Sequence, residues 1–210
     1  MRSWRGGCSG CRRQRSDAQA RRDGLLRQGL AHLSRLSRLA LEQYVEASDP
    51  DFPFFYQLSH TTAKIGADNP DNCYLNASIR GDSSYRITGR RGTMFYFSIV
   101  ANAMRYHIDG SAHATGSLMG DEIVWGPDGE VEIVASCTRP EHCANWLRLE
   151  PDASVIIIRQ SALDRVHEQP GSFQIERIAG PAAPAANPAR LDLLQRLFGS
   201  SAVGQKGSPT

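Results

Sequence analysis

No apolar run in this chain approaches the roughly 20 residues that a membrane-spanning helix needs, so no such helix is expected. The N-terminus is basic but lacks the apolar stretch of a secretory signal, and nothing hydrophobic follows Arg12-Arg13. The glycine fingerprints of dinucleotide and phosphate-loop sites are missing, as is a G-x-S-x-G nucleophile elbow. Five cysteines are an odd number, which argues against an oxidised disulfide framework. Cys8 and Cys11 form CSGC, half of a zinc site with no second pair to complete it. Cys137 and Cys143 flank His142 but lack a fourth ligand, so that loop is read as structural. A cytoplasmic protein without membrane partners is the expectation.

Charge narrows the field further. The 210 residues carry a formal charge of +2. Residues 1–23 alone hold seven Arg against Asp17 and Asp23. The remainder is therefore net acidic, which excludes a dedicated nucleic-acid surface on it.

What is present divides the chain into five parts. Residues 1–23 show no apolar period and are expected to be disordered. Within 24–48, leucines from Leu25 to Leu41 recur at spacings near three and four, the signature of an amphipathic helix, and Asp49-Pro50 ends it. Residues 49–71 form an aromatic connector in which Phe52, Phe54, Phe55 and Tyr56 pin the helix onto the adjoining sheet. From 72 to 180 the period is two. Strands are expected at Tyr74–Ile79, Tyr85–Gly89, Met94–Met104, Asp121–Trp125, Glu130–Ala135, Trp146–Leu149, Ser154–Arg159 and Ser172–Ile178, with GPDG and EPDA as turns. SVIIIRQ, almost wholly apolar, is expected to be a central strand buried on both faces. Residues 181–210 are a Pro/Ala linker and tail, in which LDLLQRLF has the pattern of a short helix. The expected fold class is mainly β, an antiparallel β-sandwich or jelly-roll-like domain with an N-terminal amphipathic helix.

In order along the chain, GADNPDNCYLNASI, YRITGRRGT, GPDGEVEIV, NWLRLEPDASVIIIRQ and QIERI resemble the bacterial family of domain of unknown function 1214, often found with domain of unknown function 1254. The resemblance covers roughly residues 24–180 and implies an all-β, jelly-roll-like fold without a defined activity. It departs at both ends: the Arg-rich start is unlike that of relatives, and their helical C-terminal extension is cut short after Phe198. A truncated family member is the reading this suggests.

Candidate chemistry lies in three places. Asp68, Asn69, Asp71 and Asn72 form a dense hydrogen-bonding edge suited to a polyol or sugar, or else simply the turn that launches a strand. His107, Asp109 and His113, on a glycine-rich stretch read as a surface loop, offer two imidazoles and a carboxylate suited to Fe, Mn or Zn in cupin-like geometry. Arg159, Asp164 and Arg177 form either structural ion pairs or an anion-binding set, and Trp146 is a core residue or a stacking platform. Glycosidase-like carboxylates could be drawn from Asp121, Glu122, Glu132 and Glu150, with nothing to place two at a working separation. Two functions stay open: a non-catalytic domain binding a small polar molecule or glycan without a cofactor, and a metal-assisted enzyme.

Overall fold

Alternation of side chains after position 72 builds eight strands: β1 (Asn72–Ser78), β2 (Ser84–Arg90), β3 (Tyr96–Arg105), β4 (Ser111–Met119), β5 (Glu130–Ser136), β6 (Trp146–Arg148), β7 (Val155–Ser161) and β8 (Ser172–Ala179). The computed structural model describes residues 9–60, 62–65, 69–106 and 108–181, with side chains at 19 and from 21 onward. The strands form two four-stranded sheets, ordered β1-β7-β3-β4 and β6-β5-β2-β8. Neighbours are antiparallel except β5 and β6, which run parallel. The architecture is a β-sandwich.

Its core lies between the sheets. Ala77, Ile99, Ala101, Ile156 and Ile158 project from the first, and Tyr85, Ile87, Ile133, Ala135 and Leu147 from the second, all removed from solvent. Each large aliphatic side chain so buried contributes about 1.5–3 kcal/mol. Phe97 meets Trp125 edge-on at 5.2 Å and Phe173 at 5.3 Å, filling one end. The sheets approach closely where β4 passes β6. A Cβ on Gly116 would sit 2.1 Å from the Arg148 carbonyl, so only glycine fits there.

Several expectations need correction. The strand at Asp121–Trp125 is absent; that segment is a turn at 121–123 followed by irregular chain. GPDG still turns, with Gly129 at φ 73° and its N–H donating to the Gly126 carbonyl at 3.0 Å. The stretch read as a glycine-rich loop is instead β4, whose backbone finds its partners along β3. The strand expected from Met94 starts only at Tyr96, and Phe95 before it is exposed. SVIIIRQ is central, between β1 and β3, but its outer-face residues Val155 and Ile157 are only half-buried.

The N-terminal helix differs most. Helix α1 runs Ser9–Leu41 and continues into a π-helical turn, Glu42–Glu46. It begins well inside the segment expected to be disordered, because its Arg, Gln and Ala are good helix formers without any apolar period. Leu39 is buried, whereas Leu25, Leu26, Leu30, Leu33 and Leu41 face solvent. The helix is therefore anchored at its C-terminal end and does not lie along the sandwich. Phe55 and Tyr56 pack inward, with Tyr56 bridging backbone-to-backbone with Asn76, while Phe52 and Phe54 stay exposed. The LDLLQRLF segment lies outside the described residues.

Candidate functional site

The outer face of the second sheet carries an ordered array of polar side chains. On β2, Ile87 points inward and Thr88 outward; β5 and β8 alternate likewise, exposing Glu130, Glu132, Ser172 and Gln174. Register places Glu132, Thr88 and Gln174 in one row across three strands and Glu130, Arg90 and Ser172 in the next. Arg90 Nη2 donates to Glu130 Oε1 at 2.8 Å, and Arg86 pairs with Glu176 at 2.9 Å. Val124, Gly126, Ala144 and Asn145 raise one wall, giving a concavity of about 740 Å³, within the ~300–1,000 Å³ typical of ligand pockets.

Asn145 holds that wall in place. Its Oδ1 accepts from the Val124 N–H at 2.7 Å, and its Nδ2 donates to the carbonyls of Val124 and Glu132, both at 3.0 Å. The buried amide thus uses its acceptor and both donors to clamp the 121–126 segment to β5. This face was not anticipated from sequence. The alternation of β2, β5 and β8 marks their outward residues, but their convergence depends on sheet order.

Of the residues anticipated at 68–72, Asn69 and Asp71 lie in the turn that leads into β1, and Asn72 opens that strand. Asn69 Oδ1 accepts from the Asp71 N–H at 2.9 Å, and the Asn72 N–H donates to the Asn69 carbonyl at 3.1 Å. Asp71 pairs with Arg165 at 3.0 Å; Asn72 bonds the Tyr74 hydroxyl and accepts from Ser161. These side chains are spent on joining β1 to β7 and its adjoining loop. Asp68 and His107 lie outside the described residues, and so do the side chains of Cys8 and Cys11. Cys73, Cys137 and Cys143 are free thiols.

Arg159, Asp164 and Arg177 do not converge, because each is taken by its own partner. Arg159 lies over the Tyr74 ring at 5.2 Å, Asp164 pairs with His167 at 2.7 Å, and Arg177 with Asp51 at 3.0 Å. Trp146 is half-buried, with its indole N–H donating to Ser136 and Arg139 over its ring. The indole N–H and one ring face are thus engaged within the protein. The carboxylates weighed for glycoside chemistry also scatter: Glu122 accepts from the Met119 N–H, Glu132 faces Arg86, and Glu150 lies in the β6–β7 turn.

His113, on β4, meets carboxylates other than the one expected. It joins Glu150 and Asp152, the three ligand atoms lying within 4.8 Å of one another. Asp109 instead accepts from the Ser111 hydroxyl and N–H. These bonds, with the nearby Arg105, hold its carboxyl below the usual carboxylate range. Two guanidiniums compete for the new cluster, Arg105 at 3.7 Å from Asp152 and Arg148 at 3.7 Å from Glu150.

The other displaced acidities also have local causes. Hydrogen bonds from Arg80 lower Asp82, and those from His167 and the Val166 N–H lower Asp164. Burial raises Cys73, Tyr85 and Tyr56, the last to about 12.

No protein-family model matches the chain, and no curated protein matches it. Among solved structures it is similar to an uncharacterized protein from Burkholderia cenocepacia, at 47% identity and a TM-score of 0.69, over 78% of this chain and 45% of that one. The fold is shared with an uncharacterised bacterial protein. The chain spans less than half the length of that relative. The VPA0106 protein from Vibrio parahaemolyticus is 12% identical over 51% of this chain and 31% of that one, with a TM-score of 0.38, too low to carry an argument. No helix among the described residues is long and apolar enough to cross a membrane.

Proposed function

We propose that this domain is a non-catalytic binding or accessory module that holds a small polar molecule or glycan on the outer face of its second sheet. The observation that carries the reading is the concavity over Thr88, Arg90, Glu130, Glu132 and Gln174. Hydroxyl, amide, carboxylate and guanidinium groups stand there on rigid strands, a set suited to recognising polar groups rather than to transferring them. The described cysteines are free thiols, in keeping with a reducing cytoplasm. The ordered motif series further supports membership of the family of domain of unknown function 1214.

An NMR titration of the ¹⁵N-labelled protein with a panel of monosaccharides and polyols tests the reading. Saturable shifts of the Thr88, Arg90 and Gln174 amides are expected, lost in Thr88→Val/Gln174→Ala. A panel that perturbs no residue of this face would overturn it.

A second reading, a metal-assisted enzyme, has one observation behind it: His113 and two carboxylates meet. One imidazole and two carboxylates suit Mn, Fe or Zn, although the flanking Arg105 and Arg148 disfavour a cation. Elemental analysis of purified protein decides between them. Stoichiometric metal that disappears in His113→Ala would favour the enzyme.

A further inference from the structure

We propose that the exposed leucine face of α1 is a docking surface for an acidic amphipathic helix on a partner polypeptide. Leu26, Leu30 and Leu33 succeed one another at spacings of four and three, and Ser37, Ala40 and Tyr44 continue the interval. That is the seam of a coiled coil, two positions in every seven. Leu26, Leu30 and Leu33 are 65%, 64% and 60% exposed, and Tyr44 is 69% exposed. The sandwich does not cover them. The helix is held elsewhere: Leu39 is 2% exposed, and Arg38 reaches the connector at His60 Nε2, 2.9 Å away, and Thr62, 3.3 Å away. An apolar stripe of this length is seldom left to water without a partner.

Charge selects the occupant. From residue 21 to 41 the helix carries Arg21, Arg22, Arg27, Arg35 and Arg38 against Asp23 alone. Arg22 and Arg27 fall on either side of Leu26, at the flanking positions that decide which helices pair. Two copies aligned in parallel would set Arg22 of one against Arg27 of the other, a repulsion that disfavours self-pairing. A helix with Glu or Asp at those positions removes the repulsion and gains ion pairs beside the leucine contact. Ser37 and Ala40 thin the apolar face toward its C-terminal half, which suits a narrow helical seam better than a bilayer surface.

Full-length protein and a synthetic four-heptad peptide, with Leu at both seam positions and Glu at the flanking ones, form the test. The glutamates keep the peptide from pairing with itself, so anisotropy of the labelled peptide reports docking alone. Saturable binding is expected, weakened at least tenfold in Leu30→Asp/Leu33→Asp. Arg22→Glu/Arg27→Glu should lose the acidic peptide and gain its lysine counterpart. Both changes lie on exposed positions, and an unchanged thermal melt confirms that each variant is folded. The proposal is overturned by any of three results: no saturable binding, a dimer in sedimentation that Leu30→Asp/Leu33→Asp dissociates, or tighter binding to phosphatidylglycerol vesicles than to the peptide.

Discussion

Replacing Asn145 by Ala removes three hydrogen bonds at one stroke, to the N–H and carbonyl of Val124 and to the carbonyl of Glu132. Each is worth about 1 kcal/mol net, so the expected loss is about 3 kcal/mol. That is a large share of the ~5–15 kcal/mol holding a domain together. For a chain of this size it lowers the midpoint of thermal unfolding by roughly 6–12 °C. The backbone bond from the Val134 N–H to the Asn145 carbonyl survives, so β5 and β6 stay joined while the 121–126 wall loosens. Hydrogen exchange should therefore quicken at Val124 far more than at Val134, and ligand binding on the second sheet should weaken with it. Asn145→Asp sharpens the test. Its carboxylate would face two carbonyls that need donors, so its acid form is favoured and its folded pKa rises. The variant should be least destabilised below about pH 4, where both states carry the proton, and lose stability as pH rises. An Asn145→Ala protein that melts within about 2 °C of the parent, with Val124 still protected, would refute the clamp.

Burial, then the neighbouring Tyr44 and Glu42, raises Tyr56 to about 12, against roughly 10 in an unfolded chain. Its contribution is full below about pH 10 and declines as pH climbs toward 12; Tyr56→Phe should flatten the alkaline stability profile, and an unchanged profile would contradict the assignment. The half-buried, upshifted thiol of Cys73 should react with iodoacetamide more slowly than exposed Cys137, which peptide mapping reads directly. Arg177 and Asp51 are 18% and 12% exposed as side chains. Arg177→Ala strands a carboxylate and should cost about 3 kcal/mol in urea melts, whereas a loss under about 1 kcal/mol would mark the pair as solvated.

The sandwich was legible because its strands announce themselves locally. Ile87 beside Arg86 and Thr88, or Ile133 between Glu132 and Val134, fixes a face from a handful of neighbouring residues. The errors arose where tertiary contact overrode local pattern. Ser111–Met119 has the composition of a loop, yet β3 beside it supplies a complete row of hydrogen-bond partners and makes it a strand. Asp121–Trp125 has the composition of a strand, yet the bonds from Asn145 and the packing of the Trp125 ring hold it outside either sheet. The leucines of α1 correctly gave a helix and incorrectly gave its neighbour, since periodicity shows that a face is apolar without saying what covers it.

The candidate site was hidden for a related reason. A binding face on a sheet is assembled from residues dozens of positions apart, and the rows Glu132–Thr88–Gln174 and Glu130–Arg90–Ser172 exist only because β2 lies between β5 and β8. Local density of polar residues pointed instead to 68–72, where the Asn69 side chain satisfies the backbone of a turn and Asp71 and Asn72 bond neighbouring side chains. His113 illustrates the same rule from the other side. Its predicted companion four residues upstream, Asp109, is occupied by Ser111, and its actual neighbours arrive from a turn some forty residues on. Sheet order, rather than sequence proximity, decides which side chains can act together in this fold. Substitutions that preserve it, such as Thr88→Val/Gln174→Ala on the outer face, are therefore the ones that separate binding from folding.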